Sequence, residues 1–377
     1  AGPASSGASD RDLGLMLGRP LVTPLNNGKL GVIVGNGYNS ISGKAVLYIF
    51  ILAADGRLER VRKIDTGADA GNGLAGPAVL DTNRDGRADH VYAGDLQGNV
   101  WRFDIGSADP ADWGLAYGGR PLFRARDAAG RAQPITAPLL AVIQEQAGGP
   151  HSGKPFIFFG TGAYFRQDDP ADRSVQSWYG LVDDHAPIIT GRSALRQRTF
   201  AASGALASQS VRAISAAAEG DLADRQGWYL DLNEPAVGER TVSAAQIVRL
   251  AVPALVLNSI IPVTDDPCVA GGRGFVNMLD PFTGGALAVG VIDVTGDGNF
   301  NNDKLGERFV GSVDPGVGLP SEVIFVRRAN GVSTGFVSGS GRTDPPGHGT
   351  SAGIQGLTLK SGLTAGRRIA WREIIRD

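Results

Sequence analysis

Asp81-Thr-Asn-Arg-Asp-Gly-Arg-Ala-Asp89 runs directly into His90-Val-Tyr-Ala-Gly94, Asp95-Leu-Gln-Gly98 and Asn99-Val-Trp-Arg-Phe-Asp-Ile105. The last three pieces read as a β-hairpin, two short runs of β-branched and aromatic residues around a glycine-ended turn. Alternation along the second run puts Val100, Arg102 and Asp104 on one face and Asn99, Trp101, Phe103 and Ile105 on the other. The nine residues ahead of the hairpin carry oxygen side chains at positions 1, 3, 5 and 9 and glycine at position 6. Ca²⁺ is a hard cation that takes about six to eight oxygens at roughly 2.3 to 2.6 Å. Asp81, Asn83, Asp85 and Asp89, with the main-chain carbonyl of Arg87 and a sharp turn at Gly86, therefore make a candidate calcium loop. Position 12 is Tyr92 instead of the bidentate Glu of an EF-hand, and a strand follows instead of a helix. The alternative is an Asx turn that holds no metal.

The same grammar extends in both directions. Lys44 to Leu52, the turn Ala54-Asp55-Gly56 and Leu58 to Ile64 read as another hairpin, with one buried and one half-exposed strand. Strand-like runs recur at Pro155–Phe159, Ser177–Val182, Gly227–Leu232, Ile247–Val263, Arg273–Leu279 and Glu322–Val326. Their continuous apolar character suits strands buried on both faces, as in the inner part of a propeller blade. The supply of short strands suits about five blades of four strands each. The Ala-rich stretch from Ala201 to Ala218 is the one good helix candidate. Residues 106–135 and 165–175 read as long loops, and 330–366 as a Gly/Ser/Thr-rich segment. The fold class expected is all-β, a modified β-propeller with long rim loops.

Composition supports this and narrows the chemistry. The 377 residues include 55 glycines and 21 prolines, yet 42% are hydrophobic, enough for a sizeable core. A net charge of −2, without a Lys/Arg cluster, gives nucleic acid no electrostatic footing. No run approaches about 18 apolar residues, so no transmembrane segment is expected. Cys268 is the single cysteine, so neither an internal disulfide nor a cysteine-based zinc cluster can form. The chain opens Ala1-Gly2-Pro3 with no initiator Met and no signal-like segment, and is expected to be part of something longer.

A second acidic stretch repeats the loop: Asp293, Thr295, Asp297, Gly298, Asn299, Asn301 and Asp303. Thr295 stands where Asn or Asp is the better ligand and the last acid falls at position 11, so a metal site and a plain polar turn are both open. Gly349-Thr-Ser351-Ala-Gly353 matches a nucleophile elbow but lacks the flanking strand and helix. His90, His151, His185 and His348 are scattered, with no metal-binding spacing. Asp168-Asp169 and Asp183-Asp184 read as solvated turn acids rather than a glycosidase pair.

Ordered motifs then carry a resemblance: Leu17-Gly-Arg-Pro20, Gly35-Asn-Gly-Tyr-Asn-Ser40, the Asp81 loop, Gly98-Asn-Val-Trp-Arg-Phe-Asp104, Gln133-Pro-Ile-Thr-Ala-Pro138, Gln176-Ser-Trp-Tyr-Gly180, Gly227-Trp-Tyr-Leu-Asp231 and Asp266-Pro-Cys268. The chain, 1–377, resembles the C-terminal region of the PilC/PilY family, tip-associated adhesins and biogenesis factors of bacterial type IV pili. The resemblance implies a modified β-propeller with one calcium loop at Asp81, Asn83, Asp85, Arg87 and Asp89. In the family a von Willebrand A-like region and early propeller strands precede Leu17, so it also implies an incomplete ring here. The implied partners are the minor pilins of the tip complex, a host or abiotic surface and the protein's own N-terminal region. The implied location is the pilus tip or cell surface, with roles in twitching motility, virulence and opposing retraction. The rival is a calcium- and quinone-dependent propeller dehydrogenase, which would need vicinal cysteines and repeated Trp-docking motifs. A secreted propeller lectin or glycosidase is a third option.

Overall fold

The computed structural model describes residues 10–16, 18–146, 148–149, 151–263, 271–327, 332–341 and 354–361. Cys268, His348 and the Gly349–Gly353 motif lie outside them. The described residues form five sheets of four to six strands and one two-stranded ribbon, with no α-helix.

The first sheet is a plain meander of Leu21–Pro24, Leu30–Gly35, Val46–Leu52 and Leu58–Asp65. The second follows with Ala78–Leu80, His90–Gly94 and Asn99–Asp104, the last strand also pairing with Gly114–Leu115 and Phe123–Arg124. Both expected hairpins are therefore present. The third sheet runs Leu140–Ile143, Pro155–Gly160, Gln176–Val182 and Gly227–Leu232, closed by the parallel strand Arg196–Arg198. The fourth is ordered Phe200–Leu206, Gln209–Ile214, Ser312–Val313, Gly271–Leu279, Pro253–Val263 and Gln246–Arg249. The fifth is ordered Ile292–Asp293, Ile354–Lys360, Val332–Ser338 and Ile324–Arg327.

Four buried clusters lie between consecutive sheets, and alternate residues of one strand feed opposite clusters. In the second sheet Val91, Ala93, Trp101 and Phe103 pack toward the first, whereas Tyr92 and Val100 pack toward the third. Phe156 and Phe158 face the fourth sheet, while Ile157 and Phe159 face the second. This stacking is why the apolar runs are continuous: with both faces covered, period-two patterning loses its polar half. Among the described residues no buried cluster joins the first sheet to the fifth.

Two expectations need correction. The Ala201–Ala218 stretch is a strand pair, Phe200–Leu206 with Gln209–Ile214, turned at Ala207 and Ser208, both with positive φ (47° and 68°). Alanine favours helix by less than about 1 kcal/mol per residue, and burying Val211, Ala213 and Ile214 between sheets outweighs that preference. Ile247 to Val263 is two strands, because residues 250–252 turn the chain back on itself. The segment at 330–366 carries two full strands where it is described.

The fourth sheet also buries an ion pair. Arg212 and Glu239 are 1% and 0% exposed and bond at 2.7 and 2.9 Å. The guanidinium lies between the Phe200 and Phe275 rings, 3.9 and 3.8 Å from their centroids, and also donates to Asn277 Oδ1. Losing one partner of such a pair strands a buried charge, whereas exposed pairs such as Lys29–Glu59 contribute little. Glu239→Ala should therefore lower the free energy of denaturant unfolding by about 3–5 kcal/mol, and Glu59→Ala by less than about 1 kcal/mol. Equal effects from the two would contradict this placement of the pair.

Candidate metal centre

Residues 81–89 link Ala78–Leu80 to His90–Gly94 at the seam between the first and second sheets. Asp81 Oδ1 accepts from the Arg84 N–H at 2.6 Å and Oδ2 from the Gly86 N–H at 2.7 Å. Asn83 Oδ1 accepts from Asp85 N–H and Asp85 Oδ1 from Arg87 N–H, each at 2.9 Å. Gly86 sits at φ 84°, which glycine adopts without strain. The loop is thus shaped by its own acids.

Its last residue anchors it. Asp89 is 7% exposed, and its Oδ2 accepts from the Thr82 N–H and hydroxyl at 2.9 and 2.6 Å. Asn26, on the turn between the first sheet's first two strands, donates to Asp89 Oδ1 at 3.3 Å and to the Ala88 carbonyl at 3.0 Å. The Asp89 carbonyl accepts from Ile105 N–H at 2.8 Å, across the open end of the hairpin where its second strand finishes. One residue therefore ties the loop to both sheets of the seam.

The donors suit a calcium ion chemically. Asp81, Asp85 and Asp89 are hard oxygens, none pairs with a Lys or Arg among the described residues, and the neighbouring Arg84 is taken by Glu145 at 2.7 Å. A carboxylate held by one or two N–H groups keeps lone pairs for a cation. As the side chains stand, no three acidic groups among the described residues converge into a cage, because each is turned onto main-chain N–H groups. The main chain is pre-shaped and the side chains would close on the ion.

The hairpin's other face holds a polar cluster that the sequence did not announce. Asp183, read as a solvated turn acid, is fully buried. Tyr92 and Tyr117 donate their hydroxyls to it and Arg102 Nη1 bonds it at 3.0 Å. Arg102 also bonds Asp104 at 2.8 Å, and His90 and His185 both approach its guanidinium. Burial, then the Asp183 charge, push both tyrosine hydroxyls well above their ordinary range. Asp184 stays at the surface with Lys154. Tyr92 and Arg102 lie on the two strands of the hairpin that follows the loop and Tyr117 on a 3-10 turn beyond it, so Asp183 joins the second sheet to the third. The second acidic stretch lies at the other end of the chain, between the fourth and fifth sheets.

Burial works to raise the Asp89 carboxyl, but the Thr82 and Asn26 hydrogen bonds outweigh it and hold the group below the ordinary carboxylate range. A group depressed by folding contributes stability that is present above its unfolded value, about 3.9, and lost as pH falls through its folded value. Thr82→Val removes one donor to the charged form. In metal-free buffer, acid unfolding of that variant followed by tryptophan fluorescence should begin at a higher pH than in the parent chain; a coincident or lower midpoint would contradict the role given to Thr82.

Residues 5–215 match the family described as the PilY1 beta-propeller domain. A type IV pilus biogenesis factor PilY1 homolog of Xylella fastidiosa is 34% identical over 336 residues, covering 85% of this chain and 22% of that protein. PilY1 of Pseudomonas aeruginosa strain PAO1 is 34% identical over 340 residues, covering 78% of this chain and 28% of that protein. The chain therefore spans about a quarter of the length of the curated relatives it matches. The crystal structure of the Pseudomonas aeruginosa PilY1 C-terminal domain superposes with a TM-score of 0.71 at 28% identity, covering 94% of this chain and 73% of that one. With five stacked sheets and no α-helix among its described residues, the chain belongs to the PilY1 β-propeller family.

Proposed function

We propose that this chain is the calcium-responsive, non-enzymatic part of a type IV pilus biogenesis factor and tip adhesin. In this reading it acts at the pilus tip or cell surface, against minor pilins, a host or abiotic surface and its own von Willebrand A-like region. The observation that carries it is Asp89, whose side chain and carbonyl join the loop, the first sheet and the open end of the hairpin. Calcium bound by Asp81, Asn83, Asp85, Asp89 and the Arg87 carbonyl would neutralise three carboxylates that would repel one another if they converged without it. The loop would then hold the hairpin in one position, and without calcium that edge would relax. A ligand shifts such an equilibrium only by its differential affinity for the two positions, so removing a ligand residue should mimic the calcium-free form at any calcium level.

The dehydrogenase reading finds no support in the cavity bordered by the edge strands of the sheets. That cavity, about 690 Å³, lies where the inner edges of the sheets meet, lined by Arg19, Tyr38, Tyr164, Phe165 and Glu322 among others. Among the described residues no tryptophan lines it to stack on a quinone, and no residue of the 81–89 loop is among its lining.

The test is the full-length protein carrying Asp85→Ala in its own host, with surface pili counted with and without the retraction motor. The expected result is loss of pili only when the motor is present. Normal piliation in both backgrounds would remove the proposed role of this loop.

A further inference from the structure

The second acidic loop is a structural twin of the first. Asp293 Oδ1 accepts from the N–H three residues on, Gly296, at 2.7 Å, and Oδ2 from the N–H five residues on, Gly298, at 3.1 Å. Asp81 makes the same two bonds to Arg84 and Gly86. Asp297 Oδ1 accepts from Asn299 N–H at 2.8 Å, as Asp85 does from Arg87. Gly298 takes φ 77°, beside 84° at Gly86. The closing acid again faces back into the loop: Asp303 Oδ1 accepts from the Val294 and Thr295 N–H groups at 2.9 and 3.0 Å, and its carbonyl accepts from Val310 N–H at 3.0 Å.

Likeness of turns alone would not make a site. The decisive difference is at the closing acid. Asp89 has partners on both carboxylate oxygens, but Asp303 is 1% exposed and its Oδ2 is buried without any hydrogen-bond partner. A carboxylate oxygen cut off from water and from donors is costly unless a cation or a proton meets it. No Lys or Arg among the described residues pairs with Asp293, Asp297 or Asp303.

We propose that residues 293–303 form a second calcium site, with Asp303 Oδ2 as its innermost ligand and Asp293 and Asp297 closing over the ion from the exposed side. Main-chain carbonyls of the loop, with Asn299 and Asn301, complete the set of hard oxygens that calcium requires. The site lies at the seam of the fourth and fifth sheets. Val294 and Val310 of this region belong to the cluster between those sheets, and Leu305 of the adjoining ribbon packs on the fourth. The first loop occupies the corresponding place between the first and second sheets. Calcium would thus clamp the two end seams of the stack.

Calorimetric titration of the chain with CaCl₂ tests this independently of the first loop. The parent should bind about two ions per chain, and Asp85→Ala should retain one. That remaining heat should vanish in Asp85→Ala/Asp297→Asn, where the new change is at an exposed position and leaves the core intact, and in Asp85→Ala/Asp303→Asn if that variant folds. Loss of all binding in Asp85→Ala would mean that Asp303 is met by a proton, and would overturn the second site while leaving the first. Binding that survives both Asp297→Asn and Asp303→Asn would overturn it equally. Loss of the second ion in Asp297→Asn alone, with the first retained, would confirm it whatever the first loop does for pili.

Discussion

Every sheet in the middle of this stack has to satisfy two neighbours at once. The strand Asn99–Asp104 shows how strict that is: Trp101 and Phe103 fill the seam to the first sheet while Val100 and the Asp183-binding Arg102 serve the seam to the third. Burying a side chain of that size contributes about 1.5–3 kcal/mol, so a strand displaced by one residue would exchange its faces and lose several such terms together. The position of the hairpin is therefore not a local matter. Whatever fixes its ends fixes the registry of three sheets.

At one end of the hairpin is Asp95, fully buried, which accepts from Asn72, from the Gln97 and Asn99 N–H groups and from Trp101 Nε1 at 2.8–3.0 Å. At the other is Asp89, at the close of the acidic loop. The two ends differ in kind. Asp95 is saturated by donors built into the fold, whereas the loop behind Asp89 carries exposed carboxylates that only a cation can bring together. That asymmetry makes the loop end the adjustable one, and the proposed calcium dependence therefore lies there and not at the turn.

Much of this was legible in the sequence, for identifiable reasons. Both hairpins could be read because their turns end in glycine and their strands carry β-branched and aromatic residues, and the tight turn of the first loop because its alternating Asp and Asn residues and Gly86 favour one. The number of sheets followed from counting runs. What could not be read depends on contacts between distant residues. Asp183 looks like any turn acid until Tyr92, Tyr117 and Arg102 are brought around it from a different sheet, and Arg212 looks like a surface charge until Phe200 and Phe275 close on it. The Ala-rich stretch misled because alanine records only weak local preference, while the burial that decides its conformation comes from the neighbouring sheets. Asp303 was visible as a misplaced acid at position 11; that one of its oxygens is buried without a donor needed the fold.

In the proposed mechanism calcium at residues 81–89 fixes the 90–104 hairpin. Amide hydrogen exchange, compared in calcium and in chelator, measures this directly. Exchange of the 90–104 amides should slow about tenfold or more in calcium, equivalent to about 1.4 kcal/mol or more, and Asp85→Ala should abolish the difference. Identical exchange of these amides in calcium and chelator, in a chain that calorimetry shows to bind the ion at this loop, would contradict it.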